Sequence, residues 1–168
     1  MDWLSAMQWQ PCTAPLTCGS SQRSPAMLDE VVAQFRVKEK TRYTPVGKAT
    51  WCNIFVNDVT RALACEVPHW WLGKELTAND MLKWLGDERG LRHGWRSCNT
   101  EDAIARASLG FPTVVVWANP NGPGHIAILK GLQDRPVPLI AQAGATNFER
   151  GTVLEGFGPR QVLFFPHD

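Results

Sequence analysis

Cys52 is the residue of this sequence best placed to act as a nucleophile. It lies in ATWCNIFVNDVTRALACEV, residues 49–67, where apolar positions recur at the spacing of one helix face. Thr50 is a suitable N-cap, so we expect Cys52 in the first helical turn. Unpaired N–H groups and the positive end of the helix dipole favour a thiolate there. The pattern therefore predicts a nucleophilic cysteine, provided that a histidine reaches the sulfur.

His125 is the histidine that we predict as general base. It follows the Gly-rich turn PNGPG and opens the predicted strand HIAILKG, which would hold the imidazole on a rigid element. A near-neutral pKa suits it to take the thiol proton and later to protonate a leaving amine. A surface histidine without a role is the alternative for this residue taken alone.

A third polar group must hold the imidazole in the correct tautomer. Gln142 lies in the apolar stretch LIAQAG, where a buried amide needs a partner such as an imidazole N–H. The backbone is the alternative partner for Gln142, and Asn147 is its rival for the orienting role. For the oxyanion, the candidate donors are the backbone N–H of Cys52 and the hydroxyl of Tyr43, for which packing is an equal alternative.

The elements that must position these residues change character along the chain. Amphipathic segments predict helices over residues 27–38, around Cys52, from residue 77 and over 99–110. Beyond Pro112, runs rich in apolar and β-branched residues predict strands in PTVVVWANP, HIAILKG, PVPLIAQAG and QVLFFP, with residues 147–160 as a loop. Helices followed by strands with short turns predict an α+β fold with an antiparallel sheet.

Composition limits the classes of function. The 168 residues suit one domain, and a net charge of +1 gives no electrostatic case for a nucleic acid or an anionic membrane as partner. We expect an irregular arm over residues 1–26 and a single catalytic domain over 27–168. No apolar run is long enough to span a bilayer, and the N-terminus lacks the pattern of a secretory signal. The eight tryptophans either fill a core or line a groove.

Five cysteines leave at least one unpaired or paired between chains. Cys12 and Cys18 could form a disulfide in an oxidising compartment. Cys65 with His69, and His93 with Cys98, are isolated pairs for which structural use is favoured over zinc binding.

The site motifs resemble those of papain-fold bacterial cell-wall hydrolases, namely the NlpC-type peptidases and the CHAP group of cysteine, histidine-dependent amidohydrolases/peptidases. The matching stretches are YTPVG ahead of TWCNIFVNDV, then GPGHIAIL, then LIAQAG, with QVLFFP as the closing strand. The resemblance implies a papain-like α+β fold. In it, N-terminal helices, with the nucleophile at a helix start, pack on an antiparallel sheet of about four to six strands.

Carried over by position, the resemblance implies Cys52 as nucleophile, His125 as base and Gln142 as the orienting residue. Trp51 stands where the NlpC type commonly has Asp, and Gln142 where His, Asn or Glu is more usual. The residues predicted to bind the oxyanion or the substrate are Tyr43, Trp51, Gly124 and Asn147.

The resemblance also implies peptidoglycan as substrate and hydrolysis of an amide, either within the stem peptide or between muramic acid and L-alanine. It implies no metal or organic cofactor. Because no signal is recognised, we expect synthesis in the cytoplasm and delivery to the wall or periplasm. A holin would deliver a phage lysin, and a contact-dependent secretion system would deliver an antibacterial toxin. A cognate immunity protein would then block the Cys52 cleft.

Two other classes of function stay open at this stage. Cys–His chemistry also serves acyltransferases and deamidases, because it does not fix the acyl acceptor. A non-catalytic wall-binding or partner-binding module would use the tryptophan-rich stretch HWWLGKEL as its platform.

Overall fold

A computed structural model describes residues 16–168 of the chain. Within this range six α-helices accompany a five-stranded antiparallel sheet and a two-stranded hairpin. The helices are α1 (Pro25–Ala33), α2 (Cys52–Ala62), α3 (Ala78–Gly86), α4 (Glu88–Arg92), α5 (Thr100–Ser108) and α6 (Val153–Phe157). The strands are β1 (Trp70–Trp71), β2 (Lys74–Glu75), β3 (Thr113–Trp117), β4 (His125–Gly131), β5 (Leu139–Gln142), β6 (Phe148–Thr152) and β7 (Leu163–Pro166). The predicted α+β class is confirmed.

The five-stranded sheet has the order β6-β5-β4-β3-β7, and every neighbouring pair is antiparallel. Its two faces carry separate cores, as the alternation of side chains along a strand requires. Ile126 and Ile128 of β4 belong to the core that includes residues of α1, α2 and α3. Ala127 and Leu129 point into a second core with residues of α5 and α6. The strand that begins with His125 is therefore covered on both faces.

Local capping signals explain where several helices start. Ser24 accepts a hydrogen bond from the N–H of Met27, with Pro25 as the first residue of α1. Thr77 and Asn99 cap α3 and α5 in the same way, through the N–H groups of Asp80 and Asp102. Thr77 and Asn99 are also the residues at which the sequence predicts these two helices to begin.

The segment 147–160 differs from its prediction as a loop. It contains β6, an edge strand of the sheet, and the short helix α6. Thr152 and Glu155 form a capping box at the start of α6. Gly151 and the polar residues of FERGT hide the alternation that identifies a strand, which explains the error.

The described part of the predicted arm, residues 16–26, is tied to the domain. Leu16 exchanges two hydrogen bonds of 2.8 Å with the Gln34 side chain, and the N–H of Cys18 donates to the carbonyl of Ala62. Cys18 is buried in the main core. Cys12, its predicted disulfide partner, lies outside the described residues. No helix within residues 16–168 has the length and apolar character that a membrane span needs.

Candidate active site

Cys52 is the first residue of α2. The helix starts later than predicted, since Trp51 is its N-cap and makes no side-chain capping bond. Thr50, the cap that we expected, instead directs its hydroxyl to the Cys52 thiol. The indole N–H of Trp51 donates a 2.7 Å hydrogen bond to the carbonyl of Thr44, which ties the entry to α2 to the preceding loop.

The Cys52 thiol is buried, with 5% of the residue exposed. Burial raises the pKa of the thiol above its ordinary value, although the N–H groups of Ile126, Asn53 and Cys52 and the hydroxyl of Thr50 donate to the sulfur and oppose the shift. The helix terminus alone predicts a lowered thiol pKa, and this prediction is wrong in direction. The resting group is a thiol, and its use as a nucleophile requires a base.

The topology brings the sulfur next to the start of β4. Because α2 packs over this strand, Cys52 shares a core with Ile126 and Ile128. One of the N–H groups that contact the sulfur belongs to Ile126, the residue immediately after His125. The sulfur therefore lies against the backbone next to His125, whereas the His125 ring packs on Phe157 of the second core.

The contact predicted between His125 and Gln142 is present. Nε2 of His125 lies 2.7 Å from Oε1 of Gln142, and β4 and β5, which carry the two residues, are adjacent strands. Nε2 of Gln142 donates a 2.9 Å hydrogen bond to the carbonyl of Thr146, and this fixes the orientation of the amide because a carbonyl only accepts. The imidazole must then carry its proton on Nε2. Nδ1 has no hydrogen-bond partner among the described residues and is left as the basic nitrogen.

The surroundings of His125 favour its neutral form. Burial lowers the pKa of the imidazole, and the positive charge of Arg160 lowers it further, while the hydrogen bond to Gln142 raises it. Arg160 is held near by cation–π contact with Trp117, whose ring centroid lies 4.5 Å from the guanidinium carbon. Trp117 is the cross-strand partner of His125. A neutral imidazole is the form that can act as a general base.

Three residues that the sequence did not mark as functional confine the side chains of His125 and Gln142. The ring of Phe157 lies 4.8 Å from that of His125. A Cβ on Gly144 would lie 3.2 Å from Cε1 of His125, and a Cβ on Gly156 would lie 2.6 Å from Oε1 of Gln142. Phe157 and Gly156 both belong to α6, whose capping signature, Thr152 with Glu155, is visible in the sequence.

Tyr43 is not placed as predicted. Its hydroxyl donates a 2.7 Å hydrogen bond to Oδ2 of Asp58, which also accepts from Nε of Arg42 at 2.7 Å. Tyr43 and Asp58 are both fully buried. Because this hydroxyl donates its hydrogen bond to a buried carboxylate, we assign Tyr43 a structural role in place of the predicted contact with an oxyanion.

Asn147 also has a role other than the predicted ones. Its Oδ1 accepts a 3.0 Å hydrogen bond from the N–H of Gly144, and its Nδ2 donates to the carbonyls of Tyr43 at 2.7 Å and Val37 at 3.0 Å. The amide thus joins the loop after β5 to the segment that precedes α2. Of the two candidates for orienting His125, the structure places Gln142 against the ring.

A cleft of about 310 Å³ opens at Cys52. Trp51 and Gly124, both predicted to bind substrate, contribute to its walls, together with Lys48 and Glu75. A side chain at position 124 has no space, since a Cβ there would lie 2.5 Å from the carbonyl oxygen of Trp117. The glycine keeps the chain close to the cleft at the entry to β4.

No cluster of three or more His, Cys, Asp or Glu side chains able to hold a metal ion occurs in residues 16–168. The groups that the described site offers are the thiol of Cys52, the imidazole of His125 and the amide of Gln142.

Comparison of the chain with models of known protein families gives no match, and comparison with curated proteins gives no significant match either.

Proposed function

We propose that this protein is a cysteine hydrolase that cleaves amide bonds in peptidoglycan. One observation carries the reaction class. Cys52 begins a helix at the wall of a cleft, and its sulfur contacts the N–H that follows a histidine oriented by Gln142. A thiol, a base and an orienting amide in this order are the groups that covalent amide hydrolysis needs.

The proposed mechanism requires the His125 side chain to turn from Phe157 towards the cleft, where Nδ1 accepts the thiol proton as the sulfur of Cys52 attacks the scissile carbonyl carbon. The N–H of Cys52 is unpaired within the helix and stabilises the oxyanion. Collapse of the tetrahedral intermediate expels the amine, which takes the proton from His125 and leaves a thioester on the sulfur. His125 then deprotonates a water molecule that hydrolyses the thioester, and the thiol is restored.

The choice of substrate is supported by the resemblance of the site motifs to NlpC-type and CHAP hydrolases. The α+β architecture, with the cysteine at a helix start and the histidine at a strand start, agrees with that resemblance. A stem-peptide endopeptidase and an N-acetylmuramoyl-L-alanine amidase are both included in the proposal. A lysin or a secreted antibacterial effector would use such an activity, and an immunity protein for an effector would cover the Cys52 cleft.

Digestion of purified sacculi, followed by mass spectrometry of the soluble products, tests the proposal. We expect the wild-type protein to release fragments with new free amines, and Cys52→Ala and His125→Ala each to abolish release. The double variant should lose no more than either single one, because the two groups act as a unit. Cys98→Ala and His93→Ala replace the same residue types away from the cleft and should remain active.

Release at the wild-type rate by either active-site variant would disprove the assignment. A Gln-to-Glu mass change or a transferred acyl group, without new amines, would identify a deamidase or an acyltransferase in its place.

A further inference from the structure

Glu75 is the acidic side chain at the wall of the Cys52 cleft. It lies at the end of β2, in the hairpin formed by β1 and β2, and its side chain is half exposed. Lys48 carries the opposite charge on the same cleft, and it is an exposed residue of the loop before α2. Of these two charges, Glu75 is the one that the described part of the chain holds through buried side chains.

One oxygen of the Glu75 carboxylate is fixed from behind. Oε1 lies 2.8 Å from Nε2 of His69 and 3.5 Å from Nδ2 of Asn53. His69 is almost fully buried, with 2% of the residue exposed. Because a carboxylate only accepts, the imidazole donates through Nε2. Oε2 has no partner among the described residues, and it is the oxygen left for a ligand.

The same contacts fix the carboxylate relative to the nucleophile. Asn53 directly follows Cys52 in α2, and its amide also donates a 3.0 Å hydrogen bond to the carbonyl of Leu76, the residue after Glu75. The start of α2 and the end of β2 are therefore joined at one point. Because Glu75 and Cys52 line the same cleft, a group bound to Glu75 lies in the cleft that would hold the scissile bond.

We propose that Glu75 is a specificity-determining residue that binds an ammonium group of the substrate close to the scissile amide. This inference rests on the proposed hydrolase function and narrows its substrate class to peptides with a free amine near the cleaved bond. A carboxylate and an ammonium form a charge-assisted hydrogen bond, which is stronger in a cleft than in open water. Pre-orientation by His69 and Asn53 reduces the entropy lost when the ligand binds.

The test compares two soluble muropeptide preparations that differ only in acetylation of their free amines. We expect the wild-type protein to cleave the free-amine form with a kcat/KM roughly five- to tenfold higher than the acetylated form, as a partly exposed charge pair allows. Glu75→Gln should remove this preference by raising KM for the free-amine form, so that the ratio of kcat/KM between the two forms falls to about one. Glu66→Gln is the matched control, because Glu66 accepts a 3.1 Å hydrogen bond from Asn57 and lies outside the cleft lining.

The role of Glu75 would be overturned if the wild-type protein cleaved both forms equally, or if the preference for the free-amine form persisted in Glu75→Gln. Either result would leave the hydrolase assignment intact. Absence of cleavage of either form would count against the hydrolase itself. In that case, labelling of Cys52 by an ammonium-bearing and a sulfonate-bearing methanethiosulfonate, resolved by peptide mass spectrometry, decides the charge preference. A cationic-to-anionic rate ratio that falls several-fold in Glu75→Gln supports the site, and an unchanged ratio rejects it.

Discussion

Oε1 of Gln142 accepts the Nε2–H of His125 across 2.7 Å, while the same amide donates to the carbonyl of Thr146. The hydrogen bond to Thr146 fixes which end of the Gln142 amide faces His125, because an inverted amide would place its oxygen against the carbonyl oxygen of Thr146. The amide therefore selects the tautomer in which Nδ1 of His125 is unprotonated. A carboxylate at this position would hold the ring equally well but would also favour the imidazolium.

We predict that Gln142→Leu lowers kcat roughly 10- to 100-fold, because the imidazole loses its orienting partner but remains present as a base. The fold should survive, as Leu is close to Gln in size. Steady-state cleavage of soluble muropeptides gives kcat and KM, and thermal unfolding reports folding. Loss of activity that merely tracks loss of folded protein would show that Gln142 has only a structural role.

The pH dependence of Gln142→Glu follows from the pKa of His125. Burial lowers this pKa below the ordinary value, so in the wild-type protein the base stays neutral at pH 7, and activity falls only below the pH at which an exposed histidine titrates. A Glu carboxylate stabilises the protonated ring and raises its pKa. We therefore expect the acidic limb of the kcat/KM profile to move to higher pH in Gln142→Glu. A limb that stays in place would exclude His125 as the titrating base.

Cys52 should react slowly with iodoacetamide at pH 6 to 7, with a rate that continues to increase up to at least about pH 9. The reason is that burial raises the pKa of its thiol, so little thiolate is present near neutrality. Peptide mass spectrometry separates Cys52 from Cys98, whose pKa is also raised by burial and which serves as an internal reference. Fast labelling of Cys52 that is independent of pH between 5 and 8 would instead indicate a preformed thiolate–imidazolium pair.

The sequence was sufficient for the class of the fold and for the contact between His125 and Gln142. Both depend on local signals: helical periodicity before residue 110, strands after it, and a polar residue in an apolar strand. The ionisation state of Cys52 was predicted in the wrong direction. A helix terminus is visible in the sequence, whereas the depth at which α2 packs on β4 is a tertiary property, and desolvation outweighs the terminal dipole here.

The role of Tyr43 was also not predictable from the sequence, because it depends on a tertiary contact. Its position ahead of Cys52 suggested a catalytic hydroxyl, but the nearest charged acceptor is Asp58, one helical turn and a half into α2. Asp58 lies in the mixed stretch VNDVTR, where a single polar residue does not by itself indicate a buried carboxylate. Only the structure, in which Arg42 and Tyr43 both bind Asp58, shows that the tyrosine compensates a charge in the core.

Tyr43→Phe separates the two roles. We predict a loss of about 1 to 2 kcal/mol in the free energy of unfolding, because the buried Asp58 carboxylate loses one donor, with hydrolytic activity within about twofold of wild type. Asp58→Ala should cost more, about 3 to 5 kcal/mol, since it leaves the Arg42 guanidinium without its carboxylate. Urea denaturation and muropeptide cleavage measure the two quantities. A 100-fold loss of activity at unchanged stability would restore Tyr43 to the oxyanion site.

The hairpin that carries Glu75 turns through Leu72 and Gly73, whose φ angles are 50° and 80°. Leu72 is 93% exposed, so its side chain packs on little and its left-handed backbone is a net strain. An Asn–Gly pair is the favoured sequence for a two-residue turn of this geometry. We predict that Leu72→Asn raises the free energy of unfolding by about 1 kcal/mol, measured by thermal and urea denaturation. Leu154→Asn is the control, because Leu154 is an exposed leucine of α6 whose backbone is not left-handed, and this variant should give no gain in stability. An equal gain in both variants would show that the removal of exposed apolar surface, and not the relief of backbone strain, is responsible.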